Sequence, residues 1–182
     1  MKRISPFLAS AALLALSGCS GPADQTDSAG VNKSTSSLAE TIAGDAELKT
    51  LAAGLKSTGL DGVFSGQGDY TVLAPTESAF SALGNKMDGL TASEQTPVLA
   101  AVLRGHVIPG TLTADDIAKA IDANDGKPIS MRTMGTGSVS FARNGSDLNI
   151  IADDGSTAKL AGAGMTASNG AVLPISAVLK KL

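Results

Sequence analysis

The stretch Tyr70–Phe80, YTVLAPTESAF, reads as a strand that ends and a helix that begins within a few residues of one another. Tyr70 to Leu73 is rich in aromatic and β-branched side chains, which suit a half-buried pleated surface. Pro75 lacks an N–H and disfavours helical backbone at Ala74, so the strand should stop there. Thr76 can then cap a helix that carries Ala79, Phe80 and Leu83 toward a core and ends near Gly84.

Outward from this stretch, local chemistry marks further elements. Ser37-Leu38-Ala39-Glu40 has the form of a capping box, in which the hydroxyl accepts from a free helix N–H and the Glu reaches back. Asp45 is a second candidate N-cap, ahead of Leu48, Leu51, Ala52 and Leu55 at helical spacing, with Gly59 as the stop. Thr91-Ala92-Ser93-Glu94 predicts a third capped helix through Val98, Leu99, Val102 and Leu103. Thr113-Ala114-Asp115-Asp116 predicts a fourth, with Ile117 and Ile121 inward.

Beyond Pro128 the apolar period becomes two. Residues 138–142, 148–151, 158–161 and 171–179 read as strands, with turns at Asn144-Gly145 and Asp153-Asp154-Gly155. Helices first and antiparallel strands later predict an α+β fold, its N-terminal helices packed on a sheet wedge formed mainly by the C-terminal half. Val172, Ile175 and Val178 are expected to be buried, so that the last segment completes the sheet.

The 182 residues suffice for one ordinary domain plus short extras, and 43% hydrophobic against 17% charged residues is enough for a packed core. A net charge of −3 offers nothing to attract a phosphate backbone, which argues against nucleic acid as a partner. Aromatic residues make up only 3% of the chain, so stacking platforms for sugars or bases are scarce. Cys19 is the single cysteine, which excludes an intramolecular disulfide and a four-cysteine zinc site.

The N-terminus reads as an address. Lys2 and Arg3 precede the apolar run Phe7–Leu16, which is too short to span a bilayer needing about 20 residues. Leu16-Ser17-Gly18-Cys19 resembles the lipobox of bacterial lipoproteins. That resemblance implies cleavage before Cys19, a thioether diacylglycerol on its thiol and an added N-acyl chain such as palmitate. Two or more chains give stable anchoring where one is marginal. Removal of residues 1–18 takes away Lys2 and Arg3 and brings the net charge from −3 to −5. Ser20 after the cysteine, by resemblance to enteric lipoproteins, favours the outer membrane. Residues 19–36 then form a lipid-anchored tether of Ser, Gly, Ala, Asp and Thr, too polar to fold alone. The folded domain is expected over residues 37–182.

Three segments, in this order, resemble the fasciclin domain family. Tyr70–Phe80 resembles its first motif, an Ala-Pro-Thr followed by Ala-Phe. Leu103-Arg104-Gly105-His106-Val107-Ile108-Pro109-Gly110 resembles the central motif, usually Tyr-His-Val-Val-Pro-Gly. Ser168-Asn169-Gly170-Ala171-Val172 resembles the opening of the closing motif, an Asn-Gly-Val-Ile followed by His-Val-Ile-Asp. The resemblance implies a fasciclin-like fold and a non-enzymatic role in adhesion or in binding a protein or extracellular-matrix component. It also implies a partner-contact role for His106. The departures are specific: Gly105 replaces the tyrosine, Gly164-Met165 stands in place of an Asp-Ile pair, and Leu173-Pro174-Ile175-Ser176 replaces His-Val-Ile-Asp. An integrin-type site as described for animal members is not expected.

Read on its own residues, His106 lies between a small residue and an apolar Val-Ile-Pro run, which predicts a buried structural histidine with a depressed pKa. It is the only histidine, so a catalytic triad or a zinc site would have to use it; neither a catalytic residue nor a metal or cofactor site is assigned. Asp122-Ala-Asn124-Asp125-Gly126 approaches a calcium loop, but glycine falls at the fifth place and Thr133 at the twelfth. The expected protein is a membrane-anchored lipoprotein of the bacterial cell envelope, periplasmic or surface-facing. The alternative is an envelope protein that binds a small molecule or polysaccharide in a concave site.

Overall fold

The structure, a computed structural model, describes residues 34–84, 86, 93–145 and 147–181. The expected signal peptide, Cys19 and all but the last residues of the expected tether lie outside them.

Helix α1 (Leu38–Gly44) starts where the capping box predicts, with the Ser37 and Glu40 side chains each bonded to the other's backbone N–H. Asp45 caps a short 3-10 turn, Ala46–Leu48, through the N–H of Glu47, and helix α2 (Lys49–Ser57) continues with Leu51 and Leu55 buried. Gly59, at φ 70°, ends α2 and redirects the chain into α3 (Leu60–Phe64), an element the sequence reading did not anticipate. Strand β1 (Tyr70–Pro75) and helix α4 (Glu77–Ser81) follow as expected. The Thr76 hydroxyl departs from expectation: it bonds Ser78 Oγ at 2.8 Å and makes no bond to a helix N–H.

Helix α5 (Thr96–Gly105) is preceded by a 3-10 turn at Ser93–Gln95, while Thr91 and Ala92 of the expected capping box lie outside the described residues. Strand β2 (Val107–Pro109) leads to α6 (Ala114–Ala123), which begins on a complete Thr113–Asp116 capping box and buries Ile117 and Ile121. The remaining strands are β3 (Ile129–Arg132), β4 (Ser138–Asn144), β5 (Asp147–Ala152), β6 (Thr157–Lys159), β7 (Met165–Ala167) and β8 (Gly170–Ile175).

The fold is α+β, as read from sequence, and its strands form two four-stranded sheets, β2-β1-β8-β7 and β3-β4-β5-β6. Pairing is antiparallel except between β1 and β8, which run parallel in the register Tyr70↔Gly170 to Pro75↔Ile175. This parallel pair explains why both strands are almost wholly apolar: the first sheet is covered on both faces. Val72 and Val172 belong to one core with Leu38, Ile42, Leu51 and Phe64. Leu73 and Leu173, one residue on, belong to a second core with Ile117, Ile121, Phe141 and Ile150. In the second sheet Val139, Phe141, Leu148 and Ile150 are buried and alternate with more accessible neighbours, the pattern of a sheet with one face packed.

Two sequence boundaries are corrected. The strand expected over 171–179 ends at Ile175, after which the chain continues without regular structure. Val178 is nonetheless buried, as are Val172 and Ile175. The strand expected over 158–161 leaves its ladder at Lys159, because Leu160 bridges to Ile175 and the Ala161 N–H bonds the Pro174 carbonyl at 2.8 Å.

Candidate functional site

The three motif segments carry four buried polar residues, Thr71, Thr76, His106 and Asn169. The Thr71 hydroxyl donates to Gly110 O at 2.7 Å and accepts the Leu112 N–H at 2.8 Å. Asn169 stands at the turn into β8. Its Oδ1 accepts the Leu38 N–H at 2.8 Å, and its Nδ2 donates to Phe64 O at 2.9 Å and to Gly66 O at 2.7 Å. One side chain thus satisfies the first free amide of α1 and two carbonyls around the end of α3. Beside it, the Ser168 N–H donates to Ser36 O at 2.8 Å. Gly170, at φ 153°, sits so close to β1 that a Cβ would be driven into the Tyr70 carbonyl oxygen.

His106 follows the last residue of α5 and is 1% exposed. Nδ1 lies 2.8 Å from Val102 O, and Nε2 lies 2.9 Å from the Leu179 N. A carbonyl can only accept and an amide N–H can only donate, so the ring must be neutral with its proton on Nδ1. Burial pushes its pKa below the ordinary 6.5, with the Val102 bond and the charge of Asp154 acting in the opposite sense. The residue for which the resemblance implied a surface contact is therefore placed beneath the surface.

Above it lies a cleft of about 260 Å³. Val98, Val102 and Gly105 of α5 form one side, and Ser138 with the loop between β3 and β4 another. Asp153 and Asp154 of the β5–β6 turn and Leu179 of the C-terminal segment complete it. The Asp154 carboxyl is held down at about 2, chiefly by the Ser156 hydroxyl, with burial opposing and the Lys181 N–H, the Ser156 N–H and Lys180 assisting. Gly105 has no steric need to be glycine: its backbone is not left-handed, and a Cβ there would meet nothing within 4 Å. It is one of the residues that line the cleft.

The cleft escaped the sequence reading, although its signal was present. Gly105 enters the sequence reading only as a lost tyrosine, yet with Gly135 and Gly137 it lines the cleft. Both acidic pairs fall where turn and cap chemistry put them: Asp116 in the α6 cap, Asp153 and Asp154 in the β5–β6 turn. Asp122, from the rejected calcium loop, pairs with Arg143 at 2.9 Å, and Asp125 takes φ 57° in the turn after α6. Among the described residues no group of three or more His, Cys, Asp or Glu is placed to hold a metal ion. No helix among them is long and apolar enough to cross a membrane. Cys19 lies outside them.

A family model of the fasciclin domain matches residues 46–181. Protein sll1483 of Synechocystis is 35% identical over 85 residues, which cover 46% of this chain and 47% of that protein. Synechocystis protein sll1735 is 30% identical over 96 residues, 52% of this chain and 71% of that one. This chain thus spans about half the length of the first of these curated relatives. Among solved structures, a FAS1 domain pair from the insect cell adhesion molecule fasciclin I superposes with a TM-score of 0.70 at 13% identity, covering 81% of this chain and 52% of that one. At that identity the likeness is one of fold. The family match extends over most of the chain, and the protein belongs to the fasciclin domain family.

Proposed function

We propose that this fasciclin-family chain is a lipid-anchored envelope protein whose domain works as a non-enzymatic module for adhesion or for binding a protein or extracellular component. The observation that carries the non-enzymatic part is the state of His106. The chain's one histidine is buried with both ring nitrogens engaged by the backbone, so in this closed arrangement it has no free site from which to exchange a proton with a substrate. The insect protein that shares the fold, fasciclin I, is a cell adhesion molecule, which supports the adhesion side of the reading.

The anchor rests on the sequence Leu16-Ser17-Gly18-Cys19 and the short apolar run before it. Two acyl chains at Cys19 would hold the domain at a membrane, and the outer membrane is favoured by Ser20. Cys19→Ala should leave an uncleaved, unacylated precursor in the producing cell. An intact mass of the wild-type chain showing a free thiol at Cys19 would end the lipoprotein reading.

A second reading, an envelope protein that binds a small molecule or polysaccharide, is favoured by one observation, the cleft lined by Gly105. Gly105→Leu separates the two. It places a large side chain on the cleft wall at a position where a Cβ meets nothing within 4 Å, so the ligand reading expects envelope glycan or small-molecule binding to fall while the melting temperature holds. The adhesion reading expects cell attachment to persist.

A further inference from the structure

The chain after β8 runs without regular structure from Ser176 to Lys181, and it is fastened at three points. Ser176 exchanges two bonds with Lys159, its N–H donating to Lys159 O at 2.9 Å and its Oγ accepting the Lys159 N–H at 3.0 Å. The Leu179 N–H donates to His106 Nε2 at 2.9 Å, and the Lys181 N–H donates to Asp154 Oδ2 at 2.9 Å. Val178 and Leu179 are buried, and Leu179 and Lys180 form part of the cleft wall. The middle fastening differs from the others, because its acceptor is a nitrogen that can be protonated.

We infer that residues 176–181 form a strap released by acid at its middle: protonation of His106 removes the acceptor for the Leu179 N–H and frees the part of the strap around Leu179 that walls the cleft, while both ends stay fastened. A protonated ring carries N–H donors on both nitrogens. Nδ1 keeps its bond to Val102 O, but Nε2–H would then face the Leu179 N–H, donor against donor. A closed strap therefore requires the neutral ring, and an open one exposes Nε2 to water and accepts the proton.

The charged groups around the ring leave His106 as the titrating element. Asp154, on the β5–β6 turn, is the charge that favours the protonated ring, and it stays ionised down to about 2. The Lys181–Asp154 fastening therefore holds unchanged through mildly acid pH. Lys180 and Lys181 lie on the strap itself, and Arg104, two residues before His106, is exposed. Strand β1 reaches His106 through the Leu73 N–H, bonded to its carbonyl at 2.8 Å, and β2 follows it with Val107, Ile108 and Pro109; none of these side chains titrates. The loop after β3 meets Arg104 and Val107 through the backbone of Gly135 and Met134.

Linkage sets the size of the effect. A group whose pKa is lower in the closed state than in the open one makes opening more favourable as pH falls, about ten-fold per pH unit between the two values. The upper limit of that window is the ordinary histidine value of 6.5. Native-state amide exchange on the full chain, followed by NMR from pH 7.5 to pH 4.5 and corrected for intrinsic exchange, reads it directly. The Leu179 opening constant should rise about ten-fold per unit below about pH 6.5. At every pH it should exceed that of Val172 in the β1–β8 ladder, and it should barely respond to low urea. A pH-independent Leu179 opening would overturn the inference. So would one opening constant and one urea dependence shared by Leu179 and Val172, since the strap would then move only with global unfolding. His106→Gln, which removes the titration, should flatten the Leu179 profile, and a ramp that survives in that variant also overturns it. Should that variant not fold, the wild-type comparison of Leu179 with Val172 decides alone.

Discussion

Replacing Asn169 with alanine tests whether the turn before β8 is a clasp or only a turn. Asn169 is 6% exposed and makes three bonds, to Leu38 N–H, Phe64 O and Gly66 O, so the substitution orphans one donor and two acceptors. The bonds to Leu38 and Phe64 are buried, and each orphan there costs about 1–3 kcal/mol. Gly66 is exposed, and its carbonyl can turn to water at a cost of about 0.5–1 kcal/mol. The sum is a loss of about 2.5–7 kcal/mol, a large share of the roughly 5–15 kcal/mol that holds an ordinary domain folded. In urea, with a slope of about 2 kcal/mol per molar, the midpoint should fall by about 1–3.5 M. Asn169→Asp retains an acceptor for Leu38 but points its second oxygen at two carbonyls, and should be at least as harmful. The assay is urea unfolding followed by circular dichroism. A loss below about 1 kcal/mol for the alanine variant would show that the three partners find other bonds, and the clasp would carry no weight.

Two further substitutions probe neighbouring features. Gly170→Ala should cost more than about 3 kcal/mol or prevent folding, because its Cβ would meet Tyr70 O and come within 2.8 Å of Leu38 Cδ1 in the central strand pair; an alanine variant that melts within a few degrees of the wild type would refute the close approach. His106→Ala should cost about 2–4 kcal/mol at pH 7.5, through the cavity and the orphaned Leu179 N–H. The wild type should lose stability by up to about 1.4 kcal/mol per unit as pH falls below 6.5, where the unfolded chain takes up a proton that the folded one refuses, and the variant should lack that contribution; parallel pH profiles for the two proteins in urea would contradict it.

How much of this was legible in the sequence depended on the reach of each interaction. The capping boxes at Ser37 and Thr113 join residues three apart, and both were read correctly. The burial of His106 followed from the apolar run after it. Its partner did not, because Leu179 is 73 residues away. Asn169 enters the sequence reading only through the closing motif, and its bonds to Leu38, Phe64 and Gly66, 103 to 131 residues off, leave no trace in local pattern. Strands β2 and β7 are three residues long, too short for a period of two to declare itself. Helix α3 is five residues with a glycine in its middle, which lowers its helical signal. The parallel pairing of β1 with β8 is set by their shared two-sided burial, and the sequence shows only that each is apolar.

The placement of the three motif segments bears on where function can lie. Far apart in sequence, they meet in one sheet: β1 from the first, β2 from the second and β8 from the third stand side by side. Their buried polar residues are consumed internally, Thr71 by Gly110 and Leu112, Thr76 by Ser78, His106 by Val102 and Leu179, and Asn169 by α1 and the end of α3. A side chain whose bonding capacity is spent inside the fold has none to offer a partner, so these residues specify the domain rather than what it binds. Recognition then falls to positions that the motifs leave free. Gly105 is such a position: it stands inside a motif yet departs from it, and it lines the cleft. Substitutions in the β2-β1-β8 ladder should therefore act through stability. Those around the cleft, on α5, the β3–β4 loop and the β5–β6 turn, can change binding while the fold stands.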